Sequence, residues 1–130
     1  MTRRVVLIDD NDNDLLFTRL MLQRAGVADD IRCHERAQDA LDALARGPDH
    51  GVSLILLDIN MPLMDGFGFL EALGRLPPAH VVGLVVVMLS SSADPADRAR
   101  AATYPVVRGY LTKPVDRATA TSLGAWIADR

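Results

Sequence analysis

The chain lacks most of what would send it outside a cell or into a membrane. Its 130 residues contain a single cysteine, Cys33. One thiol cannot close an internal disulfide, which excludes the stapled scaffold of small secreted proteins and suits a reducing cytoplasm. Cys33 itself reads as a buried structural thiol. Aromatic residues make up only 5% of the chain, and its one tryptophan, Trp126, reads as core or as an anchor for a partner. Positive charge is also short, with 14 Lys plus Arg against 17 Asp plus Glu and a net charge of −3. No basic field recommends nucleic acid as the partner, and direct DNA binding is not expected. Long apolar runs are absent. Val5 to Ile8 is too short for the core of a signal peptide. Val81 to Leu89 falls well below the roughly 20 residues of a membrane span. The expectation is a soluble, cytosolic protein without a membrane partner, and no repeat, low-complexity tract or linker interrupts it.

What the sequence does have is apolar content of 49%, enough for one real core in a chain of this length, with no room for a second domain. The apolar residues fall into alternating short runs and helical spacings. Val5 to Asp9 reads as a strand, and Asn11-Asp12-Asn13-Asp14 offers candidate N-caps for a helix that runs to about Arg24 and stops at Gly26. A weaker strand at Ile31 to His34 precedes a helix carrying Ala37, Ala40, Leu41 and Leu44, which Gly47-Pro48 ends. Leu54 to Asp58 reads as a strand buried on both faces. Phe69, Leu70, Leu73 and Leu76 mark the next helix, which Pro77-Pro78 closes.

Val81 to Leu89 is the fourth strand, on its valine content and Gly83. Asp94-Pro95 then caps a short helix that ends by Pro105, and its Arg98 to Arg100 face reads as solvated. Val106 to Leu111 is the fifth strand. Beyond Lys113-Pro114, Ala120, Leu123, Trp126 and Ile127 line a last helix. Strict strand–helix alternation predicts an α/β fold, a doubly wound parallel sheet of five strands with helices on both faces. The flavodoxin-like order 2-1-3-4-5 suits it, with a ligand site beyond the carboxyl ends of strands one and three.

The polar residues gather at those ends. Asp9 and Asp10 close strand one, Asp58 strand three, Ser90 follows strand four and Lys113 strand five. Three carboxylates and one ammonium would leave uncompensated negative charge in a small crevice, which a divalent cation would neutralise. Oxygen ligands select Mg²⁺ over zinc, and Mg²⁺ combines one or two carboxylates with waters and phosphate oxygens. The pattern points to metal-assisted phosphoryl chemistry at Asp58. His34, His50 and His80 lie outside it.

Ile8-Asp9-Asp10, Leu57-Asp58 through Met64-Asp65-Gly66, Leu89-Ser90 and Tyr110-Leu111-Thr112-Lys113-Pro114 together resemble the motifs of response-regulator receiver domains of two-component signalling, in order and spacing over nearly the whole chain. The resemblance implies that Asp58 is the nucleophile that takes a phosphoryl group from a sensor histidine kinase or a histidine phosphotransfer protein. It implies Mg²⁺ on Asp10, Asp58 and the backbone carbonyl of Asn60, with Asp9 acting mainly through a bound water, and Lys113 on the phosphoryl oxygens. It also implies a cis Lys113-Pro114 bond. Ser90 would donate its hydroxyl to the phosphoryl group and Tyr110 would turn inward, forming a switch. Ser90 has serine neighbours at 91 and 92 that could take its role by a shift of register, and Tyr110 reads equally as a half-buried strand aromatic.

The implied protein is a stand-alone receiver over residues 1–130, without an output domain, that catalyses only its own phosphorylation and dephosphorylation. It would signal by contact with an unknown downstream protein or a second copy of itself through the fourth helix, fifth strand and fifth helix. The stretches Ile8 to Asp14, Thr103-Tyr104-Pro105 and Gly109 to Asp116 are similar to small receivers that partner bacterial phytochrome kinases. Two other readings remain at this stage. A pseudo-receiver would keep the fold as a constitutive interaction module. A haloacid-dehalogenase-type phosphatase also uses an aspartate and Mg²⁺, but needs an acid two residues after the nucleophile, where this chain has Asn60.

Overall fold

Each inner strand carries two alternating sets of apolar side chains, and the two sets pack against different helices. The computed structural model describes residues 3–128. Its strands are β1 (Arg4–Ile8), β2 (Asp30–His34), β3 (Val52–Asp58), β4 (Val85–Ser90) and β5 (Val107–Thr112). Its helices are α1 (Asp12–Ala25), α2 (Ala37–Ala45), α3 (Gly66–Leu73), α4 (Pro95–Ala101) and α5 (Arg117–Ala128). Val6, Ile8, Ile55, Leu57, Val86 and Met88 face the apolar sides of α2 and α3 and Ala101 of α4. Val5, Leu7, Leu54, Leu56, Val85, Val87 and Leu89 face α1 and α5. A strand covered on both faces must be apolar at every position, which is why β3 and β4 read as unbroken runs.

All pairings are parallel and the strand order is β2-β1-β3-β4-β5, as the alternation of elements led us to expect. The register decides where the chemistry sits. Ile8 lies opposite Leu57, Asp58 opposite Leu89 and Ser90 opposite Thr112. Residues just beyond β1, β3, β4 and β5 therefore emerge along one edge of the sheet. Helix ends follow local chemistry. The Asn11 side chain accepts the Asp14 N–H, Gly26 takes the left-handed conformation at φ 67°, and Asp94 accepts the Ala96 N–H ahead of Pro95.

Three boundaries differ from the sequence reading by more than two residues. β4 begins at Val85, not Val81, because the apolar run contains a turn. Pro78–His80 forms a 3-10 turn, the Val81 and Val82 N–H groups both donate to the Pro78 carbonyl, and Gly83 takes φ 75°. Gly83, counted toward a strand, instead supplies the positive φ that ends the turn. α3 stops at Leu73, and Leu76 reaches the core from the turn that follows. α4 stops at Ala101, before Pro105 is reached. One surrounding also differs: Cys33 is half-buried on edge strand β2. The α4 arginines are exposed, as read, and lie over aromatic rings, Arg98 4.9 Å from the centre of Tyr110 and Arg100 4.1 Å from that of Phe67. Trp126 is partly buried against the α1–α5 face of the core.

The loop from β3 to α3 is closed by the Gly66 N–H, which donates to the Ile59 carbonyl at 2.8 Å. A Cβ on Gly66 would lie 2.8 Å from the Asp58 carbonyl oxygen and 3.0 Å from Ile59 Cα. Both are backbone atoms that cannot turn aside. We expect Gly66→Ala to lose about 2 kcal/mol of stability in denaturant unfolding, within the range for overpacking; an unchanged midpoint would show that the loop yields freely.

Candidate functional site

The edge where the strands end brings together carboxylates that would repel one another in isolation. Asp9 follows β1 and Asp58 is the last residue of β3, and each is only 5% exposed. Asp10 is exposed beside them, and one carboxylate oxygen from each of the three lies within 4.8 Å of the others. Burial, reinforced by the negative charge of Asp9, pushes the Asp58 carboxyl up to about 6, with the Lys113 charge opposing. Lys113 stands just past β5, and its Nζ donates to Asp9 Oδ2 at 2.6 Å and to Asp14 Oδ2 at 3.0 Å, and lies 3.4 Å from Asp58 Oδ1. Burial alone would lower the lysine's pKa, but hydrogen bonds to Asp9 and Asp14 outweigh it and raise the value, so the ammonium is charged at neutral pH.

Backbone bonds fix these groups in place. The Asp9 N–H donates to the His34 carbonyl at 3.1 Å, and Asp9 Oδ1 accepts the Asn11 N–H at 3.0 Å. The Ile59 N–H, next to Asp58, donates to Leu89 at 3.0 Å, and the Lys113 N–H donates to the Ser90 carbonyl at 2.8 Å. Ser90 is fully buried, and its Oγ accepts the Ser92 N–H at 3.1 Å. The Lys113–Pro114 peptide is cis.

Asp9, Asp10, Asp58 and Lys113 thus share one cluster, with Ser90 joined to Lys113 through the backbone. Asn60 is exposed on the loop two residues past Asp58. Tyr110 is not in the cluster. Its ring packs in the core on the α2–α3 face, and its buried hydroxyl finds no hydrogen-bond partner among the described residues. His50 and His80 lie in the turns before β3 and β4, bonded to backbone carbonyls and away from the acids. The group missed from sequence is Asp14. It was read only as one of several capping residues, although the true cap is Asn11, and Asp14 in the first turn of α1 is free to reach Lys113.

Three oxygen donors and no sulfur or imidazole make a hard-cation site, and the crowding that raises Asp58 is what such a cation would relieve. Residues 5–123 match the response regulator receiver domain. The chain belongs to this family. Receiver domains of this family take part in phosphorylation-based signalling. The chain is 33% identical over 112 residues to the two-component response regulator ARR10 of Arabidopsis thaliana, covering 86% of this chain and 19% of that protein. Other long relatives extend equally far beyond the match, with the chain spanning 12–17% of their length. A two-component response regulator from Cytophaga hutchinsonii superposes with TM-score 0.90 at 25% identity, over 99% of this chain and 98% of that one. The bacteriophytochrome response regulator RtBRR superposes with TM-score 0.80 at 26% identity, over 98% and 78%. Among the described residues no helix is long and apolar enough to cross a membrane.

The raised Asp58 value has a thermodynamic sign. An acid whose pKa is higher folded than unfolded binds its proton more tightly in the native state, so its ionisation destabilises the fold. That cost is absent below about 4, grows between about 4 and 6, and is complete above 6. In metal-free buffer, Asp58→Asn is expected to stabilise the receiver at pH 7 by up to about 3 kcal/mol in urea unfolding, with the gain fading toward pH 4. Equal or lower stability of the variant at pH 7 would contradict the burial of a charged Asp58.

Proposed function

We propose that the receiver accepts a phosphoryl group on Asp58 from the phosphohistidine of a sensor histidine kinase or a histidine phosphotransfer protein. The observation that carries the reading is a buried carboxylate held 3.4 Å from a charged lysine with two further acids at hand. Asp58 supplies the attacking oxygen. The new P–O bond forms as the P–N bond to the donor's imidazole breaks, and the imidazole leaves with the bonding pair and takes a proton. Its raised pKa still leaves Asp58 mostly ionised at pH 7.

Asp10 and Asp58, with the Asn60 carbonyl and Asp9 through a water, would hold Mg²⁺. When bound, that ion supplies charge to neutralise the acids and the phosphoryl oxygens. Lys113 supports the same oxygens from the β5 side, and the backbone bond between Lys113 and Ser90 keeps the lysine and the hydroxyl in register. The buried Ser90 hydroxyl, whose Oγ accepts the Ser92 N–H, would donate its O–H to a phosphoryl oxygen and draw the loop leading to α4 inward. Tyr110, with its ring under Arg98 and its buried hydroxyl without a hydrogen-bond partner among the described residues, would report that movement on the α4–β5–α5 face to a downstream protein or a second copy. On this reading the chain is a phospho-accepting signalling protein whose only catalysis is on itself. The likeness to a bacteriophytochrome response regulator supports a phytochrome-type kinase as donor.

Incubation with Mg²⁺ and acetyl phosphate should add one phosphoryl group by intact mass. The gain should vanish in Asp58→Asn or on omission of metal, and should slow by on the order of 10²-fold in Lys113→Met, the scale of losing one positioned charge. No Asp58-dependent gain would refute the reading. Sizing of the phosphorylated chain separates the two outputs, since a dimer appears only if the partner is a second copy.

A further inference from the structure

Lys113 has three N–H donors, and three carboxylates surround it. Asp9 and Asp58 belong to the acid cluster, but Asp14 does not, because among the described residues the acids that bring their oxygens within 4.8 Å of one another are Asp9, Asp10 and Asp58. Asp14 sits in the first turn of α1, with its own N–H held by Asn11 at 3.0 Å and its side chain 42% exposed. No local structural duty claims its carboxylate. The helix is capped by Asn11, and Asp12 already places a negative charge in the same turn. Among the described residues its one hydrogen bond from a side chain comes from the Lys113 ammonium at 3.0 Å.

The shortest contact of Lys113 is to Asp9 at 2.6 Å, so in the metal-free protein lysine and cation compete for one carboxylate. We propose that Asp14 is a positioning residue that lets Asp9 serve the cation: it holds the Lys113 ammonium at the site from outside the acid cluster. The inference rests on the Mg²⁺-dependent acceptor reading above. Without Asp14, the ammonium leans wholly on Asp9 and Asp58 and opposes the metal. Once the metal has taken those acids, nothing anchors a side chain with four rotatable carbons, and it loses its place beside Asp58. Asp14 therefore acts on both metal and phosphoryl transfer through the lysine, while touching neither.

A double-mutant cycle on the full chain tests this, with Mg²⁺ binding to the unphosphorylated protein read by calorimetry. Asp14→Asn should weaken Mg²⁺ binding about fivefold, a loss on the scale of one partly exposed ion pair. In a Lys113→Met background the same change should have little effect, since the group it acts through is gone. Asp14→Glu should restore most of the loss, and Asp12→Asn, which removes a charge from the same helix turn, should leave affinity unchanged. Equal weakening by Asp14→Asn with and without Lys113 would make Asp14 a mere contributor to the local field and overturn the proposal. So would unchanged affinity in the single variant. A wild-type chain that takes up no Mg²⁺ would overturn the acceptor reading and this inference together, whereas Mg²⁺ uptake indifferent to Asp14 overturns the inference alone. Thermal melts of the variants separate misfolding from either result.

Discussion

Two nearly buried carboxylates and a third at their side can share the end of a sheet only because the Lys113 ammonium lies among them, 2.6 Å from Asp9 and 3.4 Å from Asp58. Removing charges from water is expensive, and like charges in contact raise the cost further. The ammonium offsets part of that cost without ending it, which is why Asp58 is still driven up toward 6. The site is thus under-neutralised by construction. An arrangement with one more fixed positive charge would be quieter and would have no use for a cation or for a group as negative as phosphate.

That interaction makes demands on the whole scaffold. Lys113 and Asp9 are 104 residues apart in sequence, and only the sheet brings them together. β1 and β5 are not neighbours; β3 and β4 lie between them. The lysine must cross the ends of both inner strands to meet the acids, so an error in any of the three registers would move it off its partners. The unbroken apolar runs of β3 and β4, packed on both faces, specify those registers. The same burial that fixes the strands removes water from the end of β3 and raises the Asp58 pKa.

The residues that the sheet orders were legible in the sequence; those that depend on side-chain reach or local turns were less so. Strand order, both flanking layers and the meeting of Asp9, Asp10, Asp58 and Lys113 followed from apolar runs that each end in a polar residue. The Val81–Leu89 run misled because hydrophobicity is silent on backbone direction. Val82 is exposed and Gly83 has a positive φ, yet neither interrupts the apolar pattern. Arg98 and Arg100 are solvated, as their charge suggests, but their ring contacts are not legible, because a charge on a short helix carries no sign of which ring it will cover. Asp14 escaped for a related reason. Among four consecutive Asn and Asp residues, composition suggests a cap but does not say which one caps and which is left with a free carboxylate.

Chemistry and output are held by forces of different size, and this difference suits a switch. Around Asp58 the contacts are short, charged and shielded from water. The α4 region is held loosely. Its seven-residue helix buries only Ala101, and its arginines rest on the Tyr110 and Phe67 rings from exposed positions, contacts worth about 0.5–1 kcal/mol each. A coupling of about 1–3 kcal/mol is enough to shift such an equilibrium. One charge-assisted hydrogen bond, of the kind proposed for the buried Ser90 hydroxyl, is of that order. A signal generated at the rigid end of the sheet would therefore be spent where the structure resists least, on the α4 surface.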